Sequence, residues 1–348
     1  MAWNHPIYKS EEYNLAGKVL VNGDHPEMNY DTALQVINNW RSSHYRPLNT
    51  FQRRLRRKAL EVDGNSLVAQ RIKRLYSIQH KIERFPTMRL TQIQDIGGCR
   101  AIVSTVEHLT KLIDVMASRD KNRSSRGLKH KLIDEKNYID DPKPSGYRGV
   151  HQIFRYYSDK AHEHDGLKIE IQFRTIIQHA WATAVETVGI FIGQALKSSI
   201  GQQEWLDFFG LASSAFAAHE GTAGVPNIDF SPDELRMRLR HYSTKLDVQA
   251  HLRAYSEAIN ILEQDISNVQ YYLLELDAAN RSVKVTGYKH EQFEKAAADY
   301  LSVEKHNKQN NINAVLVSAD SISTLKKAYP NYFVDTEIFL RQLRQILA

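Results

Sequence analysis

Cysteine is almost missing from this chain: Cys99 is the single one in 348 residues. That excludes an internal disulfide and a cysteine-rich zinc site, and it predicts a protein of a reducing, cytoplasmic setting. Cys99 itself reads as a small buried hydrophobe. Long hydrophobic runs are missing as well. No stretch of about 18 apolar residues occurs, so no membrane partner is expected. Residues 1–13 also lack the apolar centre of a secretory leader. Acids are scarce in one region. From Arg41 to Arg89 there are 13 Lys/Arg against three acids, Glu61, Asp63 and Glu83. A basic run is often no more than a solvated helix face. This one leads directly into segments bearing acids and glycines, which points it toward phosphate.

What is present supports a folded protein with a core. The 42% hydrophobic and 25% charged content is ordinary for such a chain, and the length allows one large unit plus a smaller one. Residues 30–60 are predicted helical, with Asp31 as cap and Leu34, Val36, Ile37 and Trp40 at helical spacing. Residues 66–83 are predicted as a second amphipathic helix. Its buried stripe would be Val68, Ile72, Leu75, Ile78 and Ile82, with Arg71, Lys73, Arg74, Lys81 and Arg84 on the other sides.

Strands are expected at 100–104, 147–157 and 167–174, and helices at 106–118, 176–196 and 203–219. In 167–174, Leu167, Ile169, Ile171 and Phe173 face one way and Lys168, Glu170, Gln172 and Arg174 the other. The turn at 162–166, with His164 and Asp165, reads as a solvent-facing hairpin. The class is therefore α/β, a mixed sheet with covering helices. Gly, Pro, Asn and Asp concentrate near 221–232, so a boundary is expected between a unit at 1–222 and a small α+β unit with its own core at 223–348. The second is predicted to hold helix from Pro232 to about Asn268, strands at 271–276, 282–288 and 314–318, a helix at 291–305 and two short helices.

Three segments bear chemistry. Asp95-Ile96-Gly97-Gly98-Cys99-Arg100 opens a strand with an acid and a glycine pair. The loop 141–151 offers Lys143, Gly146, Tyr147, Arg148 and His151. The third runs from Glu170 through Gln172, Arg174 and Thr175 to His179 and Trp181. A carboxylate on the polar side of an apolar strand is costly to bury unless it meets a positive partner. Asp95 and Glu170 together would suit Mg²⁺, which takes a few carboxylates plus substrate phosphates. Taken singly, each acid is as well read as an ordinary salt-bridge partner. Arginine planes can stack on a purine while lysine serves as a point charge for phosphate. The loop adds a cation, a flexible backbone and an aromatic face, a receptor for a second base.

In this order the motifs resemble the RelA/SpoT homologue synthetase family, over roughly residues 40–220. The matching pieces are Arg71-x-Lys73, Asp95-x-x-Gly98-x-Arg100, the Pro142-Lys143 to His151 loop, and Glu170-x-Gln172-x-Arg174-Thr175 with His179-Ala180-Trp181. The resemblance implies a nucleotidyltransferase-like fold and transfer of pyrophosphate from ATP to a ribose 3′-hydroxyl. It assigns Asp95 and Glu170 to catalysis and Mg²⁺, and Arg71 and Arg100 to an adenine sandwich. Lys73, Lys81 and Arg84 would take the ATP phosphates and Tyr147 would stack on the acceptor base. Lys143, Arg148, His151, Gln172, Arg174 and His179 would support the cleft. The hydrolase unit of long members has no room before Arg41.

Within the family the chain resembles the toxic branch that modifies the 3′ CCA end of tRNA, in the fused toxin–antitoxin form called CapRel. The cations Arg53, Arg54, Arg56, Arg57 and Lys58 would suit an RNA backbone. Tyr329-Pro330-Asn331-Tyr332 is the Tyr-x-x-Tyr motif which, in that type, neutralises the active site from a C-terminal, zinc-finger-like but metal-free unit. Read without the resemblance, Tyr329 and Tyr332 are half-buried core residues. The type further implies release by a phage protein such as the major capsid protein. A GDP/GTP pyrophosphokinase that makes alarmone is the alternative.

Overall fold

The structure is a computed structural model that describes residues 4–117, 130–160, 162–192, 196, 202–257, 260–263, 269–277, 280, 282–306, 312–318, 322–330, 332–333 and 335–348. Ser118, Asn268 and Asn331, where two predicted helix ends and part of the tyrosine motif fall, lie outside the described residues.

Residues 30–60 do form helix, but as two rods, α2 (Tyr30–Ser43) and α3 (Tyr45–Val62). The first is capped by Asn29, whose side chain accepts from the Thr32 amide, and not by Asp31, which sits inside the first turn. A helix not expected from the sequence, α1 (Ser10–Asn22), precedes them. It buries Tyr13, Ala16, Val19 and Leu20 at helical spacing.

The predicted helix at 66–83 is instead a strand, β1 (Leu67–Ile72), followed by a shorter helix, α4 (Leu75–Arg84). Val68 and Ile72 are four residues apart, a spacing that keeps them on one face in a strand as well as in a helix. The strand prevails because β2 (Gly97–Val103) pairs with the whole length of β1. The next elements are α5 (Val106–Ala117), an unexpected edge strand β3 (Lys131–Asn137), β4 (Val150–Arg155) and β5 (Lys168–Thr175). Helices α6 (Ile176–Ile192) and α7 (Gln203–Glu220) follow.

Beyond residue 222 come α8 (Pro232–Lys245) and α9 (Val248–Glu257), then a strand where helix was expected, β6 (Asn260–Glu263). The order continues with β7 (Tyr271–Asp277), β8 (Ser282–Tyr288), α10 (Phe293–His306), β9 (Ile312–Ser318), α11 (Ile322–Ala328) and α12 (Glu337–Leu347). Among the described residues, no helix is long and apolar enough to cross a membrane.

Among the described residues, nine strands join one mixed sheet, in the order β3-β4-β5-β2-β1-β9-β7-β8-β6. The pairs β2/β5 and β6/β8 are parallel and the rest antiparallel. Helices cover the sheet, as the α/β class requires. One face is closed by α3, α5 and α10, whose Leu48, Phe51, Leu112 and Phe293 pack with Cys99, Ala101, Ile169 and Ile171 of the central strands and with Leu273 and Leu316. Residues from both sides of the 222/223 division therefore share this cluster. The division itself falls in the loop joining α7 and α8. The C-terminal helix α12 places Phe339, Leu340 and Leu343 against Phe208, Phe209 and Phe216 of α7. Two antiparallel pairs, Gln70 with Ser318 and Arg71 with Val317, tie β9 to β1.

Candidate active site

Sheet register builds the site. Arg71 lies opposite Gly98, and Gly98 opposite Glu170, so the three form a row across β1, β2 and β5. Ala69, Arg100, Gln172 and His151 form the next row on the same face. Gly98 puts no side chain into the first row, and the space above it is open. A gap floored by backbone is left between a guanidinium and a carboxylate. The cleft over this gap is lined by Arg71, Lys73, Asp95, Arg100, Glu170, Gln172 and Tyr329. The apolar alternates of the same strands, Cys99, Ile169 and Ile171, face α3 on the other side. Cys99 is thus the buried small residue expected of it.

Asp95 holds two ammonium groups. Lys73 Nζ donates to one oxygen at 2.6 Å and Lys81 Nζ to the other at 2.8 Å. The Lys73 amide donates to the Ile96 carbonyl at 2.8 Å, which ties the end of β1 to the Asp95 segment. Burial works against the Asp95 charge, but the two lysines override it and hold the carboxyl well below the usual range. Glu170 meets His151 Nδ1 at 2.9 Å and accepts from Gln172 Nε2 at 2.7 Å. Burial opposes its charge too, and the His151 hydrogen bond and charge outweigh this and lower its pKa. His151 is raised in turn, against burial, by Tyr147 and Glu170. Burial, with Arg174 and Arg71 nearby, pushes Arg100 down to about 10. Arg71 and Arg100 stand beside the two carboxylates on this floor, and their guanidinium planes suit anions and π-faces.

The donor chemistry fits a hard dication. Two carboxylates face one cleft, and both oxygens of Asp95 would be open to the ion once Lys73 and Lys81 turn to phosphate. Among the described residues no group of three His, Cys, Asp or Glu could hold a metal. An ion here would rest on two protein carboxylates and draw its remaining ligands from phosphate or water, the arrangement Mg²⁺ favours.

Beside His151 the Tyr147 hydroxyl meets Nε2 of that ring at 2.6 Å and accepts from Arg174 Nη2 at 3.0 Å. Its ring has Arg174 Cζ at 5.1 Å and Lys143 Nζ at 5.2 Å from the centroid, and Tyr147 is only 3% exposed. Tyr138, the tyrosine ahead of Pro142-Lys143 in the loop motif and given no role of its own, lies closer to Lys143, with 4.3 Å from Nζ to the ring centroid.

Gly146 explains how the loop lies so close. Its φ of +87° is a left-handed conformation, and a Cβ there would stand 2.8 Å from Trp181 Cζ2 and 3.2 Å from the Phe209 carbonyl oxygen. Gly146→Ala should therefore destabilise the protein by about 2 kcal/mol, read as a fall in the chemical-denaturation midpoint at unchanged m-value.

Several expected site residues lie elsewhere. Arg148 is buried and turned away from the cleft, because the residue after Tyr147 on an extended segment points to the opposite side. His179 is buried on α6, its carbonyl accepting from Thr183. Arg84 stands exposed at the end of α4, 5.6 Å from the Phe85 ring centroid, and keeps to the rim, near enough to Lys143 to help lower that group's pKa after burial has done so. The basic block lies on α3, which covers the sheet face opposite the cleft. There Lys58 pairs with Glu61 at 2.7 Å and Arg57 with Glu61 at 3.9 Å, while Arg53 and Arg56 are exposed and Arg54 is half-buried. His164 is fully buried and not solvent-facing, with Nδ1 at 3.2 Å from the Ser43 carbonyl.

Tyr329 reaches the cleft from the turn after α11. It is buried, and its hydroxyl donates to the Gln70 carbonyl of β1 at 2.7 Å. Burial raises its pKa against the opposing charges of Arg100 and Arg71, which places both guanidiniums within electrostatic reach of the phenol. Tyr332 is buried as well but faces Arg74, whose pKa it raises more than any other neighbour does. The motif thus splits, with one ring at the cleft and the other behind it.

A mixed sheet whose cleft pairs carboxylates with lysines and arginines defines a site for phosphate chemistry. Residues 70–188 match the region found in RelA / SpoT proteins, which supports the RelA/SpoT synthetase family. GTP pyrophosphokinase YwaC of Bacillus subtilis is 30% identical over 118 residues, 32% of this chain and 52% of that protein. GTP pyrophosphokinase YjbM of the same organism is 28% identical over 118 residues, again 52% of its length. The chain spans about half the length of the curated relatives it matches. Among solved structures, small alarmone synthetase 2 from Bacillus subtilis is 22% identical with a TM-score of 0.43, over 53% of this chain and 93% of that one.

Proposed function

We propose that the chain is an ATP-dependent pyrophosphokinase held closed by its own Tyr329. The observation that carries this reading is the single cleft in which Asp95 and Glu170 face Arg71, Lys73 and Arg100 while Tyr329 lines the same space. Arg71 and Arg100 would sandwich adenine, and Lys73 and Lys81 would leave Asp95 for the triphosphate, with Arg84 at the rim. Asp95 and Glu170 would hold Mg²⁺, which when bound neutralises the triphosphate and the charge on the transferring group. The acceptor 3′-oxygen then bonds to the β-phosphorus as the bond from that phosphorus to the α,β-bridging oxygen breaks. AMP leaves with the electron pair, and the Glu170 carboxylate accepts the hydroxyl proton. Tyr147 would stack on the acceptor base once Lys143 moves aside.

The Tyr329 ring offers the arginines the cation–π contact that adenine would otherwise make. Release needs a ligand that binds the open state better than the closed one. A phage major capsid protein is the partner the resemblance implies, docking on the exposed part of residues 270–348. For the acceptor we favour the tRNA CCA end, with the cations of α3 on the RNA backbone. Because α3 lies on the far face, the acceptor arm would have to cross the sheet edge. A guanosine nucleotide is the second reading, favoured by that placement and by the names of the relatives.

The test supplies γ-phosphate-labelled ATP, total tRNA and GDP/GTP to the wild-type chain and to Tyr329→Ala. Label should enter tRNA, at least about tenfold faster with Tyr329→Ala, and that variant should arrest growth of cells expressing it. Label in GDP/GTP alone selects the second reading. Label in neither overturns the activity, and equal rates overturn the plug.

A further inference from the structure

The loop bearing Tyr147 is held from behind by a buried carboxylate that no motif contains. Glu220 ends α7, fifty residues after Glu170, with its side chain 6% exposed. Arg148 Nη1 donates to it at 2.7 Å, the Thr175 hydroxyl donates to its other oxygen, and Gln178 Nε2 lies at 3.4 Å. Arg148 Nη1 also reaches the Thr222 hydroxyl at 3.1 Å, and Arg148 Nε donates to the Ser213 hydroxyl at 3.2 Å. Ser213 in turn donates to the Gly146 carbonyl at 2.6 Å. Every partner on the loop side flanks Tyr147 in sequence; on the other side Thr175 follows directly on Arg174 at the end of β5, and Gln178 lies in the first turn of α6. That arginine donates to the Tyr147 hydroxyl.

We propose that Glu220 is a positioning residue for the acceptor side of the cleft: by clamping Arg148 and Thr175 together it sets Tyr147 in register with His151 and Glu170. The physical ground is that a buried guanidinium needs its counter-charge. Arg148 is 2% exposed, so it cannot turn to water without pulling residues 146–149 out of their packing on Trp181 and Phe209. Glu220 touches neither cleft nor substrate. Its effect passes through one rigid step, Arg148 to Tyr147, and is confined to the acceptor side because Asp95, Lys73 and Lys81 are held by a separate set of contacts. The kinetic part of this inference rests on the pyrophosphokinase reading. The conformational part does not.

The experiment compares full-length wild type with Glu220→Gln and with the milder Thr222→Val, which removes only one Arg148 partner. Amide hydrogen exchange is the first readout. Residues 146–150 should exchange about tenfold faster in Glu220→Gln and a few-fold faster in Thr222→Val, while β7 to β9 stay unchanged. Kinetics in the Tyr329→Ala background is the second. The KM for the acceptor should rise about tenfold or more with the KM for ATP unmoved, since small displacements of a positioning contact are costly. Glu234→Gln, which breaks an exposed pair on α8, should change neither. The proposal is overturned if exchange at 146–150 stays at the wild-type rate in both variants, or if both KM values shift alike. Should no transfer occur in the Tyr329→Ala background, the enzymatic reading fails while the exchange data still decide the clamp.

Discussion

Asp95→Asn in the Tyr329→Ala background is expected to lower pyrophosphate transfer by about 10³-fold or more while the chain remains folded. The substitution keeps the shape and removes the charge. Two effects then act together. A metal held as proposed would lose one of its two protein carboxylates, and the cleft floor, already rich in guanidinium, keeps Lys73 and Lys81 without their shared anion. The second effect costs some stability, because both ammonium groups are at least partly buried. It also predicts tighter adventitious binding of phosphate or pyrophosphate. Glu170→Gln should fall by a similar factor. The double variant should lose little beyond either single one, since groups that act as a unit are strongly non-additive. Multiplicative losses would show that the two acids serve different steps. Transfer by Asp95→Asn within tenfold of its parent would refute the shared metal role. Rates are best read per folded molecule, with the near-ultraviolet spectrum as control.

The parts of this site legible in sequence are those where side-chain type and strand period coincide. In 167–174 the alternation is strict, and Glu170, Gln172 and Arg174 do share one face against Ile169, Ile171 and Phe173. The glycine pair at 97–98 correctly marked the opening of a strand. Period failed at 66–83 because the apolar residues there satisfy a helix and a strand equally over six positions, and only pairing with β2 and β9 decides between them. The error matters, since a strand fixes Arg71 in the row of Gly98 and Glu170, whereas a helix would not.

Contacts made by the fold alone were out of reach. Nothing local distinguishes Glu220 from any acid at a helix end. Arg148 illustrates another limit: its place beside Tyr147 in the motif does not say which way its side chain points, and extended geometry turns it to Glu220 on the other side. The basic block on α3 was read for its charge, and charge does not say which face of the sheet a helix covers.

The same limit applies to Glu304, and a large stability effect is expected there. Glu304 on α10 pairs with Arg41 of α2 at 2.8 Å, with side-chain exposures of 8% and 5%. Its other oxygen accepts from the Leu75 amide at 2.7 Å, one of the unpaired donors at the start of α4. Arg41 further donates through Nε to the Lys73 carbonyl at 3.0 Å and lies 5.1 Å from the Tyr300 ring centroid. Burial works against the Arg41 charge, but Glu304, with Tyr300 and Tyr45, more than offsets it and keeps the group strongly basic. An arginine guanidinium stays protonated inside a protein, so Arg41 cannot relieve an absent partner by deprotonating. Glu304→Ala would leave that charge buried and the Leu75 amide without an acceptor, and should cost about 3–5 kcal/mol in chemical denaturation. Replacing both partners by apolar residues of similar volume, Arg41→Met with Glu304→Leu, should recover most of the loss, because the penalty comes from the orphaned ion more than from the missing attraction. A loss below about 1 kcal/mol, the range of an exposed pair, would mean that α10 can lift from α2 and let water reach Arg41. The backbone segment that delivers Lys73 to Asp95 would then be held without help from α10.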